Sequence, residues 1–231
     1  MSRMPAAASR ADDASPDGAA ADDHRAYWEE FYARKADAVP AEPSAFARWV
    51  VDQQPRGTLL EIGSGTGRDS LFFASEGYTV LGCDYAVPGL RYAEDQARAR
   101  ELTDVTFQQL DLYDDEHVLE RADAIAGATA PDAVYARFMV HAVSDEGRHN
   151  LFRLAGHVLE GQGGRLYLEF RTARADHEFG EHFRQFVQPA QVEEELRSYG
   201  FVVEHCEEGF GLAVHKNEDP KVCRIIARAG S

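Results

Sequence analysis

The 231-residue sequence has no run of about 18 apolar residues, the length a helix needs to cross a bilayer, so no membrane-spanning helix is expected. It is poor in cysteine. Cys83, Cys206 and Cys223 are odd in number and lack CxxC spacing, which argues against a disulfide framework or a zinc site and for a reducing compartment. Basic residues are scarce: 24 Lys and Arg stand against 40 Asp and Glu, a formal charge of −16. Such a chain is repelled by nucleic-acid backbones and anionic membrane surfaces, and it shows no Lys/Arg cluster of the kind a basic groove needs. The N-terminus has no basic-then-apolar order, so it does not read as a secretory signal. These absences leave a cytoplasmic protein with a small-molecule partner, no metal, no nucleic acid and no membrane as the expectation; the oligomeric state is left open.

Residues 1–23 hold almost no large apolar side chains and are expected to be disordered, because they cannot bury enough surface to offset ordering entropy. From His24 the texture changes. HRAYWEEFYARKA places Tyr27 with Phe31 and Trp28 with Tyr32 at i,i+4 spacing, a helix with an aromatic stripe. Pro40 and Pro43 end it, and Ser44 is placed to cap a second helix, giving an N-terminal helical cap over about 24–54. The rest, to residue 231, is expected to be one domain.

Apolar runs and helical periods then alternate. Strands are expected at Thr58–Ile62, Thr79–Cys83, Val105–Leu110, Ala133–Tyr135 and Gly164–Phe170. Helices are expected at Gly67–Glu76, Pro88–Glu101, Glu116–Ala126, Glu146–Glu160 and Pro189–Tyr199. That alternation implies an α/β fold, a parallel sheet with helices on both faces. The last two strands, Phe201–Glu207 and Val222–Ala229, have no helix between them and suggest an antiparallel hairpin at one edge. There is no internal repeat.

EIGSGTG, Glu61–Gly67, falls where the first strand ends and a helix begins, the edge at which doubly wound sheets bind ligands. Glycine lets backbone come close to a ligand there; the bland alternative is a tight turn with no ligand. A P-loop is excluded, since no GxxxxGK followed by Ser or Thr occurs. Asp84 ends the second strand, where a carboxylate can take both hydroxyls of a ribose, and Asp111 follows the third, where it either accepts from an adenine amino group or is a solvated turn residue. A nicotinamide-binding protein also has an acid at the Asp84 position, but its glycines normally run GxGxxG, whereas here they run GxGxG with Arg68 last.

With these three motifs in order, the sequence resembles the class I S-adenosylmethionine-dependent methyltransferases over roughly His24 to Ala229. The resemblance implies a Rossmann-like seven-stranded mixed sheet of order 3-2-1-4-5-7-6 with strand 7 antiparallel, and S-adenosylmethionine as cofactor, leaving as S-adenosylhomocysteine. It implies cofactor contacts from Glu61, Gly63, Gly65, Asp84, Tyr85, Asp111 and Leu112, and from Trp28 of the N-terminal helix.

The acceptor is read from residues past the later strands. Arg137 and His141 follow the fourth strand, Arg171 ends the fifth, His177, His182 and Arg184 come next, and His215 and Lys216 lie between the last two strands. Singly these are ordinary surface residues; together, on an acidic chain, Arg137, His141 and Arg171 point to a site. Two chemistries fit. An alcohol, phenol or amine needs a base, which a His supplies. A carboxylate, phosphate or phosphonate is already ionised and needs cations that orient it, for which Arg is suited. The accumulation of Arg favours a small anionic metabolite. The N-terminal helix is either a lid over the site, with Tyr27, Trp28 and Tyr32 inward and Tyr32 donating to the acceptor, or plain packing on the sheet. YWEEFYARK, ARFMVHAV, EFRT and HKNEDPKVCRIIA resemble a small group of methyltransferases acting on phosphoryl oxygens or glycan-related acceptors, phosphonate O-methyltransferases of natural-product biosynthesis among them. A methyltransferase-like fold kept for cofactor sensing remains a third, non-catalytic reading.

Overall fold

The computed structural model describes residues 16–173, 184–215 and 218–230. Seven strands form one sheet: β1 (Thr58–Ile62), β2 (Thr79–Asp84), β3 (Val105–Gln109), β4 (Ala133–Arg137), β5 (Arg165–Arg171), β6 (Phe201–Gly209) and β7 (Val222–Ala229). The order is β3-β2-β1-β4-β5-β7-β6. Strands β1 to β5 pair in parallel, and β7 runs antiparallel between β5 and β6. Both the mixed sheet and the edge hairpin agree with the sequence expectation. Chain order reverses across the β1–β4 pair, so the switch point lies beside the glycine turn.

The sheet is buried on both faces, which explains the near-continuous apolar strands. Side chains alternate along each strand. Leu60, Val134, Leu166 and Leu168 face one core layer, under α5 (Asp115–Thr129), α6 (Asp145–Leu159) and α7 (Pro189–Ser198). Leu59, Tyr135 and Tyr167 face the other, with α2 (Ala45–Gln53) and α3 (Arg68–Ser75). The fourth helix of the sheet region, α4, spans Val87–Ala99.

Two expectations are corrected at the N-terminus. Helix α1 spans Pro16–Lys35, so residues 16–23, expected to be disordered, are helical backbone; residues 1–15 lie outside the described residues. The physical reason is local: the segment opens on a proline, whose fixed φ suits a first turn, and runs into three alanines, the best helix formers. The second helix of the expected cap, α2, is a core element. Phe46, Ala47 and Val50 are fully buried, and Phe46 stacks on Tyr135 at 5.0 Å. Among the described residues no helix is long and apolar enough to cross a membrane.

Ser44 positions α2. Its hydroxyl accepts from Ala47 N at 2.9 Å, the cap read from the sequence, and donates to Asp69 Oδ2 at 2.7 Å. Ser44 N donates to Asp69 Oδ1 at 2.8 Å, and Tyr135 donates to Oδ2 at 2.7 Å. Replacing Ser44 with Ala removes a helix cap and one donor to a buried carboxylate. Stability to urea should fall by about 1–3 kcal/mol, and loss below about 0.5 kcal/mol would show the cap to be dispensable.

Candidate active site

The carboxyl ends of β1 to β5 open into a cavity of about 710 Å³, within the range of small-molecule sites. Its floor begins with the glycine turn. Gly63 N and Ser64 N both donate to Cys83 O, at 2.8 and 3.0 Å, which bends the chain sharply off β1. Gly65 has φ +54°, a conformation L side chains rarely adopt, and a Cβ there would lie 2.5 Å from the Tyr32 hydroxyl. The turn is therefore glycine for two reasons, backbone conformation and close approach.

Asp84 ends β2 against this turn. Its Oδ2 accepts from Gly65 N at 2.8 Å and its Oδ1 from Ala86 N at 2.9 Å. Burial raises its pKa, and these backbone donors counter part of that rise. Tyr85 N is a third backbone donor, and of the roughly four lone-pair sites of a carboxylate at least one stays open. Glu61 is buried and takes a hydrogen bond from the Ser70 hydroxyl. Burial, then repulsion from Asp69, pushes its pKa well above the usual carboxylate range. Asp69 goes the other way: burial works against its charge, but Arg68, Arg137 and the Ser44 donors outweigh it. Asp111, Leu112 and Tyr85 also line the cavity.

Helix α1 closes this half from above. Arg25, Glu29 and Tyr32 lie four and three residues apart, on one helix face. Arg25 pairs with Asp111 at 2.8 Å, with its guanidinium 5.9 Å from the Tyr85 ring and 5.7 Å from Tyr113. Glu29 accepts from Val87 N at 3.1 Å, capping α4 from another element. Tyr32 rests on the glycine turn; burial, then Asp84 and Glu61, push its pKa up, so the hydroxyl stays protonated. The Tyr32 hydroxyl, expected to face inward, lies beside Gly65 in the cavity lining. The aromatic stripe is present, with Trp28 stacked on Tyr32 at 5.8 Å and Tyr27 on Phe31 at 6.2 Å. All four rings line the cavity.

The other half is basic. Arg137, the last residue of β4, donates from Nε to Glu169 Oε1 at 2.8 Å. Glu169 is fully buried, and its second oxygen takes Arg224 Nε at 2.8 Å. Arg171 is buried and donates to Glu218 Oε2 at 3.0 Å. Between the two lies Phe138, which holds φ +62°, a sparsely populated conformation for a bulky residue. Its ring lies 3.9 Å from the Arg137 guanidinium and 5.4 Å from that of Arg171. His141 is buried, its ring T-shaped to that of Phe138 at 5.2 Å, and its Nδ1 accepts from Arg171 N at 3.1 Å. Arg184 and exposed His215 complete the lining of this half. His177 and His182 fall outside the described residues, as does Lys216.

The sequence reading missed Arg25, Phe138, Glu218 and Tyr113. Only Arg25 carried a signal, as a cation one helical turn before the aromatic stripe.

Residues 59–163 match a family model described as a methyltransferase domain. No curated protein matches the chain. Among solved structures, a SAM-dependent methyltransferase from Anabaena variabilis is similar at 17% identity and TM-score 0.68, over 89% of this chain and 94% of that one. A TehB-like SAM-dependent methyltransferase from Corynebacterium glutamicum is similar at 18% identity and TM-score 0.60, over 92% and 99%. The glycopeptide N-methyltransferase MtfA, solved with S-adenosyl-L-homocysteine, is similar at 16% identity and TM-score 0.62, over 82% and 88%. Likeness at this identity establishes a shared fold. Residues 59–163 are thus similar to a methyltransferase domain, and one structure of this fold was solved with S-adenosyl-L-homocysteine, the spent form of S-adenosylmethionine. The acidic half fits that group: it offers a glycine cradle, open acceptor capacity on Asp84, and the Ser64 hydroxyl, buried with no hydrogen-bond partner among the described residues.

Glu61 gives a pH test of this half. Its pKa is raised in the fold, so its contribution to stability is fully present below the unfolded value of 4.5 and is lost as pH rises towards the folded value. Glu61→Gln has no charge to bury and keeps an acceptor for Ser70. The variant should gain in melting temperature relative to wild type as pH increases from about 5 to 8, since linkage acts over that window. A difference that is flat across the window would refute the raised pKa.

Proposed function

We propose that this protein is an S-adenosylmethionine-dependent methyltransferase that delivers its methyl group to an ionised oxygen of a small anionic metabolite, with a phosphonate the leading acceptor and natural-product biosynthesis its setting. One observation supports this most: the charged residues at the strand ends are sorted by sign, with Arg25 and Arg68 added on the acidic side and Glu218 on the basic side. Carboxylates stand at the ends of β1, β2 and β3, and guanidiniums at the ends of β4 and β5.

When bound, S-adenosylmethionine supplies an electrophilic methyl group on a sulfonium. The cationic cofactor belongs on the acidic side. Asp84 is proposed to accept from the ribose hydroxyls. The turn at Gly63 and Gly65, with Glu61 beneath it, walls the methionine end. Asp111 faces the adenine end with Tyr85 and Leu112, and Trp28 covers the group from α1. An anionic acceptor belongs on the basic side, where Arg137, Arg171 and Arg184 grip its oxygens and hold one towards the acidic half. Such an oxygen needs no base, only orientation and exclusion of water, and α1 supplies the exclusion.

A second reading has an amine or hydroxyl as acceptor. It is favoured by Glu218, whose carboxylate sits beside Arg171 at 3.0 Å and suits an ammonium group, and by the likeness to a glycopeptide N-methyltransferase. Incubating labelled cofactor with phosphonates, phosphates, carboxylates, amino sugars and phenols separates the two. Turnover confined to neutral or cationic acceptors would reverse the assignment.

Two substitutions test the halves separately. Asp84→Ala should weaken cofactor binding by about 1.5–3 kcal/mol in calorimetry, the cost of losing hydrogen bonds to a charged group; unchanged affinity would remove the ribose role. Arg171→Ala should spare cofactor affinity and cost about 2–5 kcal/mol in acceptor kcat/KM, the loss expected of an ion pair in a closed site. Arg171→Lys should recover only part, because an ammonium lacks the planar fork. Equal losses of cofactor and acceptor affinity in Arg171→Ala would contradict the division of the site.

A further inference from the structure

His141 is held from two directions. Its ring nitrogen Nδ1 accepts the backbone N–H of Arg171 at 3.1 Å, and its carbonyl accepts the N–H of Gln185 at 2.8 Å. The first contact fixes the proton. A nitrogen that accepts a hydrogen bond from a backbone N–H carries no hydrogen, so in a neutral ring the proton must sit on Nε2. The ring is thus tied to the segment that brings Arg171 to the cavity, and the His141 backbone to the segment that brings Arg184.

We infer that His141 is locked as the Nε2–H tautomer and serves as a positioning donor to the acceptor oxygen, and that it is not the base of the reaction. The donor role rests on the anionic acceptor proposed above; the lock does not. Surrounding charge works in the same direction. The groups facing the ring are the guanidiniums of Arg171, Arg184 and Arg137, with the Phe138 ring T-shaped to it on one side. Burial, then these cations, holds the imidazole pKa well below its usual value. Protonation would also break the bond to Arg171 N, because both ring nitrogens would then be donors. The consequence for chemistry is a specificity rule. An acceptor whose oxygen arrives ionised can use a donor there. An alcohol or amine that must lose a proton gets no help from His141.

The lock can be read without turnover. Nitrogen-15 NMR of histidine-labelled protein, with the His141 signal assigned by its loss in His141→Asn, should show Nε2 protonated and Nδ1 bare, unchanged from about pH 6 to 8. His141→Asn keeps an acceptor for Arg171 N, and its amide N–H groups end short of the Nε2 position, so the donor is withdrawn from the acceptor oxygen. Cofactor affinity should stay within about twofold while acceptor kcat/KM falls at least about tenfold. His141→Gln, which loses the Nδ1 side, should be impaired too. An Nδ1–H ring, titration within that pH range, or a rise of kcat with pH abolished by His141→Asn would overturn the inference. A locked ring in a protein that methylates no anionic acceptor would sink the acceptor reading alone. A titrating ring in a protein that does methylate one would sink this inference alone.

Discussion

Glu169 takes a charge into the middle of the sheet, where its side chain is fully buried. A lone carboxylate there would be costly, and removing either partner from such a pair is more damaging than never having it. Arg137 and Arg224 each place Nε 2.8 Å from one of its oxygens. The basic half depends on that arrangement. Arg137 cannot swing away without stranding the carboxylate. Phe138, whose N–H donates to Glu169 O at 2.7 Å, is drawn into its unusual backbone conformation beside it. On the far side, Arg224 donates to Leu212 O at 2.6 Å and lies over Phe46 and Trp49, so the same carboxylate also anchors α2 and the β6–β7 connection.

The cavity therefore has a division of charge maintained by separate means. In the acidic half, backbone N–H groups, hydroxyls and burial set the state of each carboxylate: Asp84 and Glu61 are pushed up and Asp69 is held down. In the basic half, carboxylates fix the arginines, Glu169 for Arg137 and Glu218 for Arg171. The proposed transfer from a cationic donor to an anionic acceptor would require these fields to be kept from collapsing into one ion pair. Phe138 and Met139 lie in the lining at the end of β4, where the halves meet.

The secondary structure was legible because it is written in short-range patterns. Thr58–Ile62 and Val222–Ala229 fall where the apolar runs place them, and the remaining strands differ by one or two residues. Asp84 could be read because strand end and carboxylate coincide, and the glycine turn because φ near +54° at Gly65 leaves little choice of residue. What the sequence did not show depends on pairing across long separations. Arg25 meets Asp111 only because α1 folds back over the sheet, and Glu218 meets Arg171 only through the β6–β7 connection. The early start of α1 was missed because a tail poor in apolar residues was equated with lack of order, although alanine needs no core to favour a helix.

Helix α1 leaves the molecule with an optical signal of its own. The sequence contains two tryptophans. Trp49 sits on the far side of the sheet, 5.5 Å from His205 and beneath Arg224, away from the cavity. Trp28 is in the cavity wall, between Tyr27, Phe31 and Tyr32. Intrinsic emission is thus divided into a constant background and a component that samples the polarity of the groove. Occupancy of the cofactor half can be followed as a change in that component alone, in unlabelled protein, on the timescale of rapid mixing.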